Sequence, residues 1–253
     1  MQAEPNQASN IDENIENTVT ETSKTRHKSD FMIPRSQRRK FFFTFTLMTI
    51  VGWVVGGIVS IAVETAITER LVPKLTPGTQ ELWYMWGTYT SLSIFALIFA
   101  ADQAIAIRRY VSGWLWLLAT GFGWMVSTKV SDTWIDYIWG FAESLNRELS
   151  VEEAIILGIA STSAYIFSGI WIGFCQWLVL RRYAQNPWWW IFMNSFAFLL
   201  ISFLLWLLSL VQTSISEVYR DQVYYLGEQG LTALILSVIP AIALCRLKKR
   251  GSS

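Results

Sequence analysis

One histidine, two cysteines and six prolines are all that 253 residues hold of these types, and only 15% of the chain is charged. His27 stands among Asn, Glu, Ser and Thr near the N-terminus, remote from every apolar run. That excludes a Ser–His dyad within the apolar part, a His-rich metal site and a haem held by a pair of histidines. Cys175 and Cys245 both fall inside apolar runs, where oxidation is not expected, and read as two small buried thiols. A net charge of +1 removes the electrostatic basis for binding nucleic acid. Glu152-Glu153 lacks the Arg and His partners that paired-glutamate intramembrane proteases need. The expectation is therefore no enzyme, no cofactor and no metal.

What is abundant points to lipid as the solvent. Hydrophobic residues make up 53% of the chain and include 14 tryptophans. The charges gather in short joints, leaving apolar runs of roughly 18 to 27 residues, enough to cross ~30 Å of hydrocarbon. Residues 1–40 read as a disordered, basic-ended cytoplasmic tail, because the first thirty are too polar to bury a core. Residues 41–246 read as an all-α, polytopic transmembrane domain of six helices, with spans at about 41–64, 83–107, 111–128, 154–180, 187–211 and 228–245. Transmembrane strands would need shorter, alternating segments. Gln37-Arg-Arg-Lys-Phe-Phe resembles a twin-arginine export signal, but the following run is too long, lacks an Ala-x-Ala-like site and precedes further spans. It reads as an uncleaved first span.

After the third span, Val130, Trp134, Ile138, Phe141 and Leu145 recur at helical spacing opposite Asp132, Asp136, Glu143 and Arg147. The expectation for 129–147 is an amphipathic interfacial helix on the outer side, with a bent continuation of the third span as the alternative. Orientation follows from the basic residues. Fifteen of the twenty Lys and Arg fall on one side of this arrangement, which also holds both termini, and acidic residues prevail on the other. The positive-inside rule then makes both termini cytoplasmic. The membrane is a bacterial plasma membrane or a thylakoid-type inner membrane.

One string occurs twice, seventy-three residues apart: Gln103-Ala-Ile-Ala-Ile-Arg108-Arg109-Tyr110 and Gln176-Trp-Leu-Val-Leu-Arg181-Arg182-Tyr183. Trp116 and Trp189 keep the same spacing, so the unit reads as a helical hairpin turning at the arginines. Arg108, Arg109, Arg181 and Arg182 end spans and read as cytoplasmic-face anchors. Gln103 and Gln176 lie about 7.5 Å deeper, inside hydrocarbon. A buried amide must find a partner, so they read as bonds between helices, with a substrate path as the alternative. Asp102 is an acid in an apolar stretch, which is either a proton or cation relay or a structural tether. Gly52 with Gly56, and Gly169 with Gly173, place small residues on one helix face, the pattern of helix association, including association with other membrane proteins or a second copy.

The repeated Gln-Trp-Leu-Val-Leu-Arg-Arg string before a Trp-Trp run resembles a group of uncharacterised multi-pass membrane proteins familiar from cyanobacteria. The resemblance implies repeated hairpins and no particular activity. Together these readings lead to an integral membrane protein acting as a non-enzymatic structural or accessory component in the lipid bilayer. The alternative is a small-solute or ion transporter or channel using Asp102, Gln103 and Gln176.

Overall fold

Apolar runs of this length must satisfy their backbone groups within the segment, and the chain does so as helix. The computed structural model describes residues 31–251 apart from 146, 148 and 212–216. Its long helices are α1 Arg38–Thr65, α2 Pro77–Ile107, α3 Gly113–Ser144, α4 Val151–Leu180, α5 Met193–Val211 and α6 Glu217–Arg246. A 3-10 turn, Arg35–Gln37, precedes α1, and a π-helical turn, Ala66–Leu71, prolongs it. Another 3-10 turn, Pro187–Phe192, leads into α5.

Local chemistry sets the ends. Pro77 opens α2, where its missing N–H costs nothing. Ser150 and Glu153 form a reciprocal capping box on α4, and Arg147 donates to the same Glu153 carboxylate at 2.9 Å. Among the described residues, five stretches are long and apolar enough to cross a membrane: Arg35–Lys74, Pro77–Ile107, Val151–Leu180, Pro187–Leu210 and Tyr219–Arg246. The helix outside this set is α3, 32 residues long but carrying Ser127, Thr128, Lys129, Ser131 and Asp132 at mid-length.

Each long helix packs on the next in chain order, and α6 packs back on α1, which closes a ring. The end where the arginines cluster is tied by backbone bonds between distant segments. Met32 N–H donates to Leu247 C=O at 2.8 Å, Gln185 to Lys248 at 2.9 Å and Arg250 to Tyr183 at 2.9 Å. Beneath these ties lies a buried apolar cluster that includes Phe45, Ile107, Trp116, Leu180, Trp190 and Leu244.

Two expectations need correction. The tail does not extend to residue 40: Ile33 is fully buried, Phe31 pairs with Lys248, and helix begins at Arg38. The apolar side chains of Met32 and Ile33 are buried there, and Met32 gains a backbone partner from the C-terminal segment. Residues 1–30 lie outside the described residues. Nor is 129–147 a separate interfacial helix, since α3 runs unbroken from Gly113–Ser144. Its serines explain the continuity: Ser127 Oγ donates to Ser168 C=O at 2.9 Å, and the Ser131 and Ser168 hydroxyls bond to each other, so this polar face is held against α4. Of the apolar residues at helical spacing there, Val130, Trp134 and Phe141 are exposed and Ile138 is buried.

Candidate functional site

The two repeated glutamines are both buried and both bonded to an indole. Trp116 Nε1 donates to Gln103 Oε1 at 3.3 Å, and Trp190 Nε1 donates to Gln176 Oε1 at 2.9 Å. Gln176 also accepts from Asn194 Nδ2 at 3.0 Å and donates to Thr120 Oγ1 at 3.1 Å. Thr120 and Asn194 each follow their tryptophan by four residues, one helical turn. The indoles themselves meet, with ring centroids 6.0 Å apart at 67°. Hydrogen bonds through Gln176 thus join α3, α4 and α5.

Trp190, not Trp189, is the partner of Trp116 in this geometry. Up to the arginine turns the copies match: Tyr110 and Val111 N–H both point to Ile107 C=O, as Tyr183 and Ala184 do to Leu180 C=O. The second turn then holds one more residue, Asn186, in the left-handed conformation at φ 48°. The spacing becomes seventy-four, which places Trp188, Trp190 and Phe196 where Trp114, Trp116 and Phe122 stand.

Around the glutamines is a void of about 10 Å³, lined by Gln103, Gln176, Thr120 and Asn194 among other residues, which is room for about one water with several polar partners. Trp124, Ile172 and Phe198 line this void and also a second, much larger cavity, so they stand between the two. Trp53 and Phe99 extend that aromatic layer, at 5.7 Å from Trp124 and 5.1 Å from Trp124 respectively. The larger cavity measures about 520 Å³. Its wall includes Asp132 from α3, Glu228 from α6, Tyr165, and the hydroxyls of Ser127, Ser131 and Ser168. Trp53 Nε1 donates to Gln229 Oε1 at 3.0 Å, tying the layer to α6.

Asp102 is not brought together with the glutamines. It lines neither cavity and packs in the α1–α2 interface, where a Cβ on Gly52 would meet its Oδ2 at 2.6 Å. Gly56 faces Phe95 of the same helix as Asp102, Gly169 faces the Ser195 backbone, and Gly173 faces the Ile191 backbone. All four glycines are buried within the chain, so they are not the surface for a second copy that their spacing suggested. The reason is proximity: a neighbouring helix of the same chain fills each groove first.

The four anchor arginines are exposed at the ends of α2 and α4. Arg181 stands 5.3 Å over the Trp177 ring, and its carbonyl accepts from Arg250 Nη1 at 3.0 Å. Tyr110 Oη donates to Gln37 Oε1 at 2.8 Å, and burial pushes its phenol up while Arg109 pulls it down.

The sequence reading missed the large cavity. Its carboxylates come from helices far apart in the chain, and only the closure of the ring brings them to one space. Among the described residues these features define an all-α protein with five helices of membrane-crossing length and a mixed polar and aromatic interior. No family model, curated protein or solved structure matches the chain.

Proposed function

We propose that this is a six-span integral membrane protein of a bacterial plasma membrane or thylakoid-type inner membrane, with both termini cytoplasmic, acting as a non-enzymatic structural or accessory component. Embedding in lipid is supported by the ring's outer surface. Phe43, Leu47, Ile58, Ile156, Ile159 and Phe167 are all more than half exposed, an arrangement that costs little only in hydrocarbon. A sixth span through α3 is supported by its length and by the ring, which an α3 outside the membrane would leave open. The orientation rests on the basic residues gathered at one end.

An internal repeat of three hairpins accounts for the ring: α2 with α3, α4 with α5, and α6 with α1 across the two chain ends. In the third unit Pro240 follows Leu236 by four residues, as Gln103 follows Phe99 and Gln176 follows Ile172, and all six line the small void. Phe45, Thr49 and Trp53 repeat the spacing of Trp116, Thr120 and Trp124 and of Trp190, Asn194 and Phe198. Where the glutamine is lost, the indole that would bond it has become a phenyl ring.

The observation that carries the accessory reading over the transporter is the closed basic end. Ile107, Trp116, Leu180, Trp190 and Leu244 are each 0% exposed, so that end of the ring is filled by packed side chains. Asp102 against Gly52 lines no path. The test is ion and solute flux in proteoliposomes holding the wild type or Asp102→Asn. Background flux from both is expected; Asp102-dependent flux would overturn the reading.

A further inference from the structure

The large cavity has a chemistry of its own that a scaffold does not require. We propose that it binds a small organic cation, an amine or quaternary ammonium ion with an apolar body. Its volume of about 520 Å³ falls in the range of small-molecule sites. Asp132 and Glu228 reach it from α3 and α6, opposite members of the ring, so negative charge faces it from two walls. No lysine or arginine is among its described lining residues. Lys129, three residues before Asp132 on α3, has its Nζ 5.3 Å over the Tyr89 ring on α2; it offsets part of the Asp132 charge, and Asp136 adds to that charge. Carboxylates in a recess with low-dielectric walls focus a negative potential, which concentrates cations and repels anions.

The rest of the wall selects among cations. Trp53, Trp124, Phe198 and Tyr165 put four aromatic side chains in the wall, the kind of group against which an alkylammonium gains cation–π energy. The buried serines are bonded to each other and to backbone, which leaves them no donors for an anionic group. Among the described residues no three His, Cys, Asp or Glu side chains converge as metal ligands, so two carboxylates on separate walls suit an extended organic cation better than a compact ion.

The test uses the full chain in detergent or nanodiscs and three probes sharing one ring: benzyltrimethylammonium, benzyl alcohol and benzenesulfonate, titrated calorimetrically. Saturable binding is expected for the ammonium probe alone. Asp132→Asn and Glu228→Gln should each weaken it about tenfold, the scale of one charge pair at a partly exposed site, while Glu143→Gln, outside the cavity, leaves it unchanged. Ser202→Leu narrows the cavity without altering charge and should weaken binding too, with an unchanged melting temperature. Equal binding of the neutral or anionic probe would overturn the proposal. So would full affinity in the double carboxylate variant or in Ser202→Leu, or no saturable binding of the ammonium probe at millimolar concentration. Flux measurements bear on the accessory reading alone, so the two can fail separately.

Discussion

Trp190 donates its indole N–H to Gln176, and Trp116 does the same to Gln103 one hairpin earlier. Each bond removes two polar groups from hydrocarbon at once, so its partners should be coupled. Gln103→Leu leaves the Trp116 N–H buried without an acceptor and should cost about 1–2 kcal/mol in a detergent-unfolding titration. Trp116→Phe leaves the amide short of its donor and also loses packing. The double variant imitates the proposed third unit, in which Phe45 stands at the tryptophan position without a glutamine. Its cost should fall below the sum of the single costs by about 1 kcal/mol; strict additivity would mean that the bond contributes nothing.

A matched pair of threonines tests the same idea without changing volume. Thr120 Oγ1 accepts from Gln176 Nε2, whereas Thr49, equally buried, has no partner for its hydroxyl. Thr120→Val should therefore destabilise by about 1 kcal/mol or more, and Thr49→Val should be neutral or stabilising. Thermal melting in one detergent decides it. Equal losses at both positions would remove the hydroxyl's partner as the explanation.

These contrasts also mark what could be read from the chain. The string ending at Arg108-Arg109 and Arg181-Arg182 was legible because residue type and spacing survive in both copies, and depth in hydrocarbon obliges a glutamine to find a partner. Which tryptophan serves was not legible. The spacing slips by one at Asn186, and a left-handed residue in a turn leaves no periodic trace. The surroundings of Asp102 were not legible for a related reason: hydropathy reports that an acid lies in an apolar run, not that a glycine one helix away makes room for it. The cavity is a property of ring closure, and no local pattern encodes the placing of Asp132 and Glu228 around one space.

Orientation makes a prediction of its own. With Cys175 and Cys245 replaced by alanine, single cysteines introduced at Arg109, Arg182 and Lys249 should resist a membrane-impermeant maleimide in intact cells and react after permeabilisation. Cysteines at Gly78 and Glu143 should react from outside without permeabilisation. Labelling at Glu143 is the informative site, because it decides whether α3 crosses: if α3 does not, Glu143 and Arg109 lie on one side and give the same result.

Gly52 and Asp102 lead to the most local prediction. A methyl group at Gly52 would stand 2.6 Å from Asp102 Oδ2, 3.0 Å from its Cβ and 3.2 Å from its Cγ. Asp102 lies within a packed helix pair, and its Cβ cannot move without its backbone, so the clash is not relieved by a rotamer change alone. Gly52→Ala should destabilise by about 1–3 kcal/mol, the usual cost of overpacking a helix interface. Asp102→Ala removes the two carboxyl contacts but leaves the 3.0 Å approach of Cβ, so adding it should recover part of the loss and not all. Gly57, five residues along the same helix, has open space where a methyl group would stand, with nothing within 4 Å, and Gly57→Ala should be neutral or mildly stabilising. If Asp102 were also a proton or cation relay, Asp102→Ala would change flux as well as recover part of the stability. Partial rescue of stability without any flux phenotype is the outcome expected of a carboxylate whose role is to fit a groove.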